Sequence, residues 1–524
     1  MNYIIVNAPL YDNQTGMFST GKSILIADGL IKHIGHLSEC IAYSPRCPEI
    51  LDLRGKVVLP SFTDTHTHFV ELAKRRIMVD LQHRSTINEV IGELSSFRNT
   101  HEALPEWILG GGWDKNKIDE PESLNRQLLD SVFSDLPVAL WSKDYHAKLC
   151  NSLALRLAGI TDNSPDPAGG RYGRASDGTL NGIVYESASD AMEKVISQPG
   201  LEILKQAVLR TVREAHQFGL TGAHTMEGAY SWSVLESLRD LQPLCRFTWH
   251  FPPEELENLG NSGMKTHTGD NFYRIGGMKL FADGALGSQT AAMFEPYTGS
   301  DNLGILRYTD EELRKQAEEA VSAGFALSIH AIGTKAVHQV LSLYKDLNTR
   351  YPNPGHRIEH LQSIRREDLP LLRESGAFCA LQPVHLAGDI PNIEKHWQAI
   401  RHLAYCFKDI LAYCRSYGFG SDAPIESHNP FLGIYTALQR KAALDPGSPS
   451  WIPEQKLKLQ QAIFGYTAGA AIISGTDSHL GKLLPGYYAD LMVLDDFRDE
   501  PDEFWLDASP RMLFCGGEPV LSDL

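Results

Sequence analysis

The chain has 524 residues, 43% of them hydrophobic and 22% charged, with a formal net charge of -17. That length exceeds one ordinary core but suits a large barrel of ~200 to 250 residues or more with satellites, and the composition is that of a globular protein. No apolar run approaches the ~20 residues of a membrane span, and an acidic balance without a Lys/Arg-rich run argues against nucleic acid as partner.

The expected partner is therefore a small molecule, with a homodimer left open. The start of the sequence, MNYIIVNAPLYD, has neither a basic leader nor a small-residue cleavage site. Eight cysteines are scattered without a CxxC pair, which reads as reduced thiols and predicts a cytoplasmic protein.

In chain order, residues 1–58 read as β-structure. In SILIADGLIKHIG, Asp28-Gly29 between two apolar stretches is a tight-hairpin signal. Val57 to His68, VVLPSFTDTHTH, reads as a strand leaving one layer and entering another. Residues 70–200 do not keep a clean strand-helix alternation. They contain GGGWD (Gly110 to Asp114), a helix-start proline at Pro121, the strand PVALW (Pro137 to Trp141) and then Asp144-Tyr145-His146. We read them as an insertion after the first barrel strand, where barrel enzymes build pockets.

From Leu201 the alternation is legible. A helix ends at Gly219, and strands follow near 221–226, 245–251, 275–284, 325–331, 356–360, 377–385 and 417–424. Thr309 and Glu312 form a capping box for a helix ending near Gly324. With Phe62 to His68 these make eight strands, predicting an α/β fold built on a (β/α)8 TIM barrel over 59–480. Residues 1–58 and 481–524 share a texture of short strands and glycine turns, so they are predicted to pair as one composite β-sandwich.

Side chains alternate along a strand, so His66 and His68 face one side with Thr67 turned away. Two imidazoles held that way can grip a metal ion, but a half-exposed strand face gives the same spacing, so further ligands are needed. In the barrel frame His330 closes the fifth strand, His360 the sixth and Asp422 the eighth. Lys279 lies mid-strand in MKLF, where a cation is costly to bury unless altered or matched. Two resolutions stand: a neutral amine taking up CO2 as a metal-bridging carbamate, or neutralisation by a carboxylate such as Asp283.

This ligand order, with PSFTDTHTH, GGGWD, KLFADGALGS, HAIG, RIEH, LQP, GSDAP, YTAGAA and GYYADLMVLD along nearly the full length, resembles the amidohydrolase superfamily, most closely the branch that includes the N-substituted formamide deformylases. The resemblance implies a metal-dependent hydrolase on a distorted (β/α)8 barrel with a terminal β-sandwich. It also implies that His66, His68, Lys279, His330, His360 and Asp422 stand at metal or catalytic positions. Two departures are Ser61, where a glycine is expected, and Thr334-Lys335, where relatives carry an acidic residue and then arginine.

The implied mechanism places one ion on His66, His68 and Asp422 and a second on His330 and His360, bridged by carboxylated Lys279 at about 3.5 to 4 Å. Water sharpened to hydroxide attacks a carbonyl, and Asp422 carries the proton to the leaving nitrogen. Two zinc ions suit the donors, with manganese or iron as alternatives. A single-zinc deaminase would place an acid soon after His330, and AIGTKAV has none; a lactone or ester hydrolase and a non-catalytic scaffold are the other readings. Trp113, Asp114, Tyr145 and His146 from the insertion and His385 in QPVH are the expected substrate contacts, whereas His224 reads as a structural histidine. The bond cleaved is expected in an amide, formamide or cyclic amide.

Overall fold

The computed structural model describes residues 2–523 apart from 46, 83, 101–103, 116, 143–146, 168–169, 198, 242–244, 352–354 and 442–444. The chain divides into two compact units, residues 1–69 with 212–524 and residues 70–211.

The larger unit is organised around eight strands: β1 (Phe62–Thr67), β2 (Leu220–Thr225), β3 (Arg246–Phe251), β4 (Tyr273–Phe281), β5 (Leu327–Ala331), β6 (Arg357–His360), β7 (Phe378–Leu381) and β8 (Ser416–Phe419). All seven neighbouring pairs in chain order, from β1 with β2 to β7 with β8, are parallel. Most of their residues are buried, as strands covered on both faces must be. The ring closes just past β8, where Asp422 N–H donates to His66 O and His68 N–H donates to Ala423 O, both at 2.7 Å. Gly420 permits that approach, because a Cβ there would lie 2.5 Å from His66 N. This is the barrel expected from the eight strand-like runs.

Outside the barrel, the capping box forms as read: Thr309 Oγ1 accepts from Glu312 N, and Glu312 Oε2 accepts from Thr309 N, at the head of helix Asp310–Ser322. The helix Leu201–Gln217 stops before Gly219, whose φ of +75° favours glycine.

Two further sheets come from the chain ends. Tyr3–Val6, Ser23–Ala27, Leu30–Gly35 and Glu49–Asp52 make a four-stranded sheet. A six-stranded one joins Leu10–Asp12, Met17–Ser19 and Val57–Pro60 to Leu491–Leu494, Met512–Cys515 and Glu518–Ser522. They share a core in which Tyr3, Ile5, Ile24 and Ile26 of the first meet Val58, Leu491, Val493 and Phe514 of the second. Asp28 and Gly29, at φ +52° and +77°, form the two-residue hairpin. Val57–Pro60 runs through Ser61 directly into β1, so one segment serves both the sandwich and the barrel.

Residues 70–211 have a six-stranded sheet of their own, from Val79–Asp80 to Leu180–Glu186. Leu94, Phe97, Trp113, Phe133 and Leu149 lie in one of its apolar cores. Among the described residues no helix is long and apolar enough to cross a membrane.

Candidate metal centre

Five of the six predicted ligands sit at or just beyond a strand's C-terminal end, the face where barrels carry their chemistry; Lys279 is two residues earlier, inside β4. His66 Nε2 and His68 Nε2 each lie 3.3 Å from Asp422 Oδ1. Ligand atoms of these three residues fall within 4.8 Å of one another. The rings continue from there: His66 to His360 is 4.7 Å and His360 to His330 is 4.5 Å between centroids. Lys279 closes the group from β4, 3% exposed.

Three of the imidazoles have one nitrogen committed and the other left with its lone pair. His66 Nδ1–H donates to Glu359 Oε2 at 2.6 Å, His330 Nε2–H to the Gly284 carbonyl at 3.1 Å, and His360 Nδ1–H to Gln382 Oε1 at 2.9 Å. A carbonyl or carboxylate only accepts, so these bonds set the tautomers and leave His66 Nε2, His330 Nδ1 and His360 Nε2 as electron-pair donors, the arrangement that orients metal-binding histidines.

The residues that do this orienting were not singled out in the sequence. Glu359 holds His66 on one side and Arg357 on the other, with Arg357 Nε 2.9 Å from its Oε1. Arg357 also donates to Thr65 O, His224 Nδ1 and His250 Nε2. A guanidinium has no acceptor, so both histidines are neutral acceptors, which bears out the structural reading of His224. Burial, then the Arg357 charge, holds their pKa values well below the ordinary imidazole range. Strand alternation would turn Glu359 and His360 to opposite faces. His360 adopts φ +71° and Asp422 φ +58°, uncommon for non-glycine residues and concentrated at functional sites.

The electrostatics fit a cation. Among the described residues, His66 Nε2 and Lys279 Nζ are buried without a hydrogen-bond partner, with Asp422 Oδ1 3.3 Å from His66 Nε2. An orphaned buried polar atom is costly, and here two point into the same cluster. Burial lowers the Lys279 pKa to about 8, against the pull of Glu359 and Asp422. Burial likewise lowers His330 to about 3. Desolvation would raise the Asp422 carboxyl, but His66 and His68 hold it well below the usual range, so it is an anion. Asp283, the alternative partner for Lys279, is occupied elsewhere: it accepts from the backbone N–H groups of Ala292, Ile332 and Gly333. These donors suit a divalent metal ion.

The expected substrate contacts fare unevenly. His385 lies beside the cluster, its ring 6.5 Å from His360 and its Nε2–H donating to Ser421 O. Trp113 requires correction: it is 3% exposed inside the apolar core of residues 70–211, and its indole N–H donates to Leu140 O, so it has no face to offer a ligand. Asp114, just past the end of the strand Ile108–Trp113, is half-buried. Tyr145 and His146 lie outside the described residues. Thr334, one of the two departures, is buried and its Oγ1 accepts from Phe294 N, while Lys335 is exposed.

The profile of the Amidohydrolase family matches residues 49–521. The putative amidohydrolase YtcJ of Bacillus subtilis (strain 168) is 30% identical over 509 residues, 93% of each chain. An N-substituted formamide deformylase of Arthrobacter pascens is 26% identical over 507 residues, 92% of this chain and 91% of that one. The crystal structure of an uncharacterized metal-dependent hydrolase from Pyrococcus horikoshii OT3 superposes with a TM-score of 0.80 at 28% identity, covering 96% of this chain and 99% of the other. A likeness that runs from the sandwich through the barrel and back is more than a shared motif: the chain belongs to the amidohydrolase family.

Proposed function

We propose that this protein hydrolyses a small N-acyl or N-formyl amine, a formamide, amide or cyclic amide, at a centre for two divalent ions. The observation that carries the reading is the set of open imidazole nitrogens together with a buried Lys279 Nζ that has no hydrogen-bond partner among the described residues. His66, His68 and Asp422 would hold one ion and His330 and His360 the other, with Lys279, carboxylated by CO2, between them. Zinc suits nitrogen and oxygen donors of this kind, and manganese or iron would also. Such ions supply Lewis acidity and lower the pKa of water.

The chain's own residues do the rest. Asp422, kept ionised and 3.3 Å from two imidazole nitrogens, accepts a proton from the attacking water and returns it to the leaving nitrogen. Glu359 keeps His66 in the tautomer that leaves Nε2 open, and His385 lines the mouth. The lowered Lys279 pKa keeps part of its amine unprotonated near pH 8, the form that takes up CO2.

The test is metal analysis followed by reloading with zinc or manganese and bicarbonate, then a screen of N-formyl and N-acyl amines, cyclic imides and lactones. Metal-dependent amine release that falls by about 10²- to 10⁴-fold in Asp422→Asn is expected. Purified protein that takes up no metal, or that opens lactones alone, would sink the reading.

A further inference from the structure

Phe281, the last residue of β4, is a large aromatic ring left 36% exposed at the barrel's C-terminal end. Three groups share its ring. Lys279 Nζ stands 4.9 Å from the centroid, the His330 ring 5.2 Å, and the guanidinium carbon of Arg307 5.4 Å. An anionic group held by Arg307 therefore lies within a small molecule's length of the metal ligands. The backbone at Arg307 is tied in place: its N–H donates to Ala282 O at 2.8 Å, returning the chain to the end of β4. Its side chain is exposed, and among the described residues it has no carboxylate partner.

In a chain of net charge -17, an unpaired guanidinium beside the metal ligands is a local attractor for an anion. Its planar fork matches a carboxylate bidentately. Phe281 offers an apolar wall next to it. The geometry points to Arg307 as the residue that selects substrate. We infer that the substrate is an N-acyl or N-formyl amine that also bears a carboxylate, as an acylated amino acid does. Its amide would lie over the metal centre, its hydrocarbon part on Phe281, and its carboxylate on Arg307. This inference rests on the hydrolase reading above.

The probes are N-formylphenylalanine and its neutral carboxamide, compared on zinc-loaded full-length protein. Their ratio is read as KM where they turn over and as Kd by calorimetry where they do not. The acid is expected to be preferred by about tenfold or more, as a charge-assisted bidentate contact would give. Arg307→Met should bring the ratio close to one, and Arg307→Lys should restore part of it. Arg314→Met, an arginine ion-paired with Asp346 on the following helix, controls for net charge and should leave the ratio alone. Equal affinity for the two probes in the unaltered protein, or an unmoved ratio in Arg307→Met, overturns the inference. If no N-formyl amine turns over while the calorimetric preference persists and depends on Arg307, the anion site stands and the hydrolase reading falls.

Discussion

Glu359 and Lys279 are two buried charges with opposite fates. Glu359 is matched on both sides, by the Arg357 fork and by His66 Nδ1–H. Glu359→Gln is expected to weaken metal binding by about 10- to 100-fold, because the partner that sets the His66 tautomer is lost, as read by competition with a chelator. The same change leaves the buried Arg357 uncompensated, so chemical denaturation should show a loss of about 3 to 5 kcal/mol. Lys279 has no hydrogen bond or ion pair among the described residues. Its folded pKa of about 8 lies below its ordinary 10.5, so between those values the unfolded chain binds more protons and stability of the metal-free protein rises with pH. Below about pH 8 the full penalty is present, on the order of 3 kcal/mol for such a shift. Lys279→Met should therefore stabilise the metal-free protein at pH 7, flatten its stability between pH 8 and 10.5, and abolish any bicarbonate dependence of metal uptake. A variant no more stable than the parent at pH 7 would show that the lysine is not a buried charge.

At the level of elements, the capping box of Asp310–Ser322 is local chemistry: Thr309 Oγ1 and the Glu312 carboxylate satisfy each other's backbone donors. Thr309→Ala is predicted to cost about 1 kcal/mol in urea unfolding while leaving metal content unchanged, since the helix supplies no ligand. Elements of this kind were legible in the sequence because their signals lie within a few residues of each other. The Asp28-Gly29 hairpin, the stop at Gly219 and all eight barrel strands belong to the same group. His66 and His68 were legible for a related reason, a two-residue repeat on a strand. Glu359 was hidden in plain sight within RIEH: alternation assigns it and His360 to opposite faces, and only the left-handed backbone at His360 brings both to the centre. Trp113 misled in the other direction, since an aromatic beside glycines looks the same in sequence whether it walls a pocket or fills a core.

Across the whole molecule, the barrel's first strand is continuous with a sandwich strand, and that strand, Val57–Pro60, pairs with Leu491–Leu494 from the far end of the chain. Ending the chain at residue 510 removes Met512–Cys515 and Glu518–Ser522, strips the sheet of Phe514 and bares the edge of Leu491–Leu494. Such a truncation is expected to accumulate as aggregate, an exposed apolar edge being a template for pairing; recovery in the soluble fraction with unaltered circular dichroism would refute it. The sequence by itself determined the family, the eight strands, the sandwich texture of the two ends and the six candidate ligands, because periodicity, turn residues and strand-end histidines are short-range patterns. Tertiary structure alone decided which nitrogen of His66, His330 and His360 is open, that Glu359 and Arg357 stand behind His66, that Lys279 Nζ makes no hydrogen bond among the described residues, and that Arg307 overhangs Phe281. These are relations between side chains tens to hundreds of residues apart, and nothing local in the chain encodes a distance of that kind until the barrel closes.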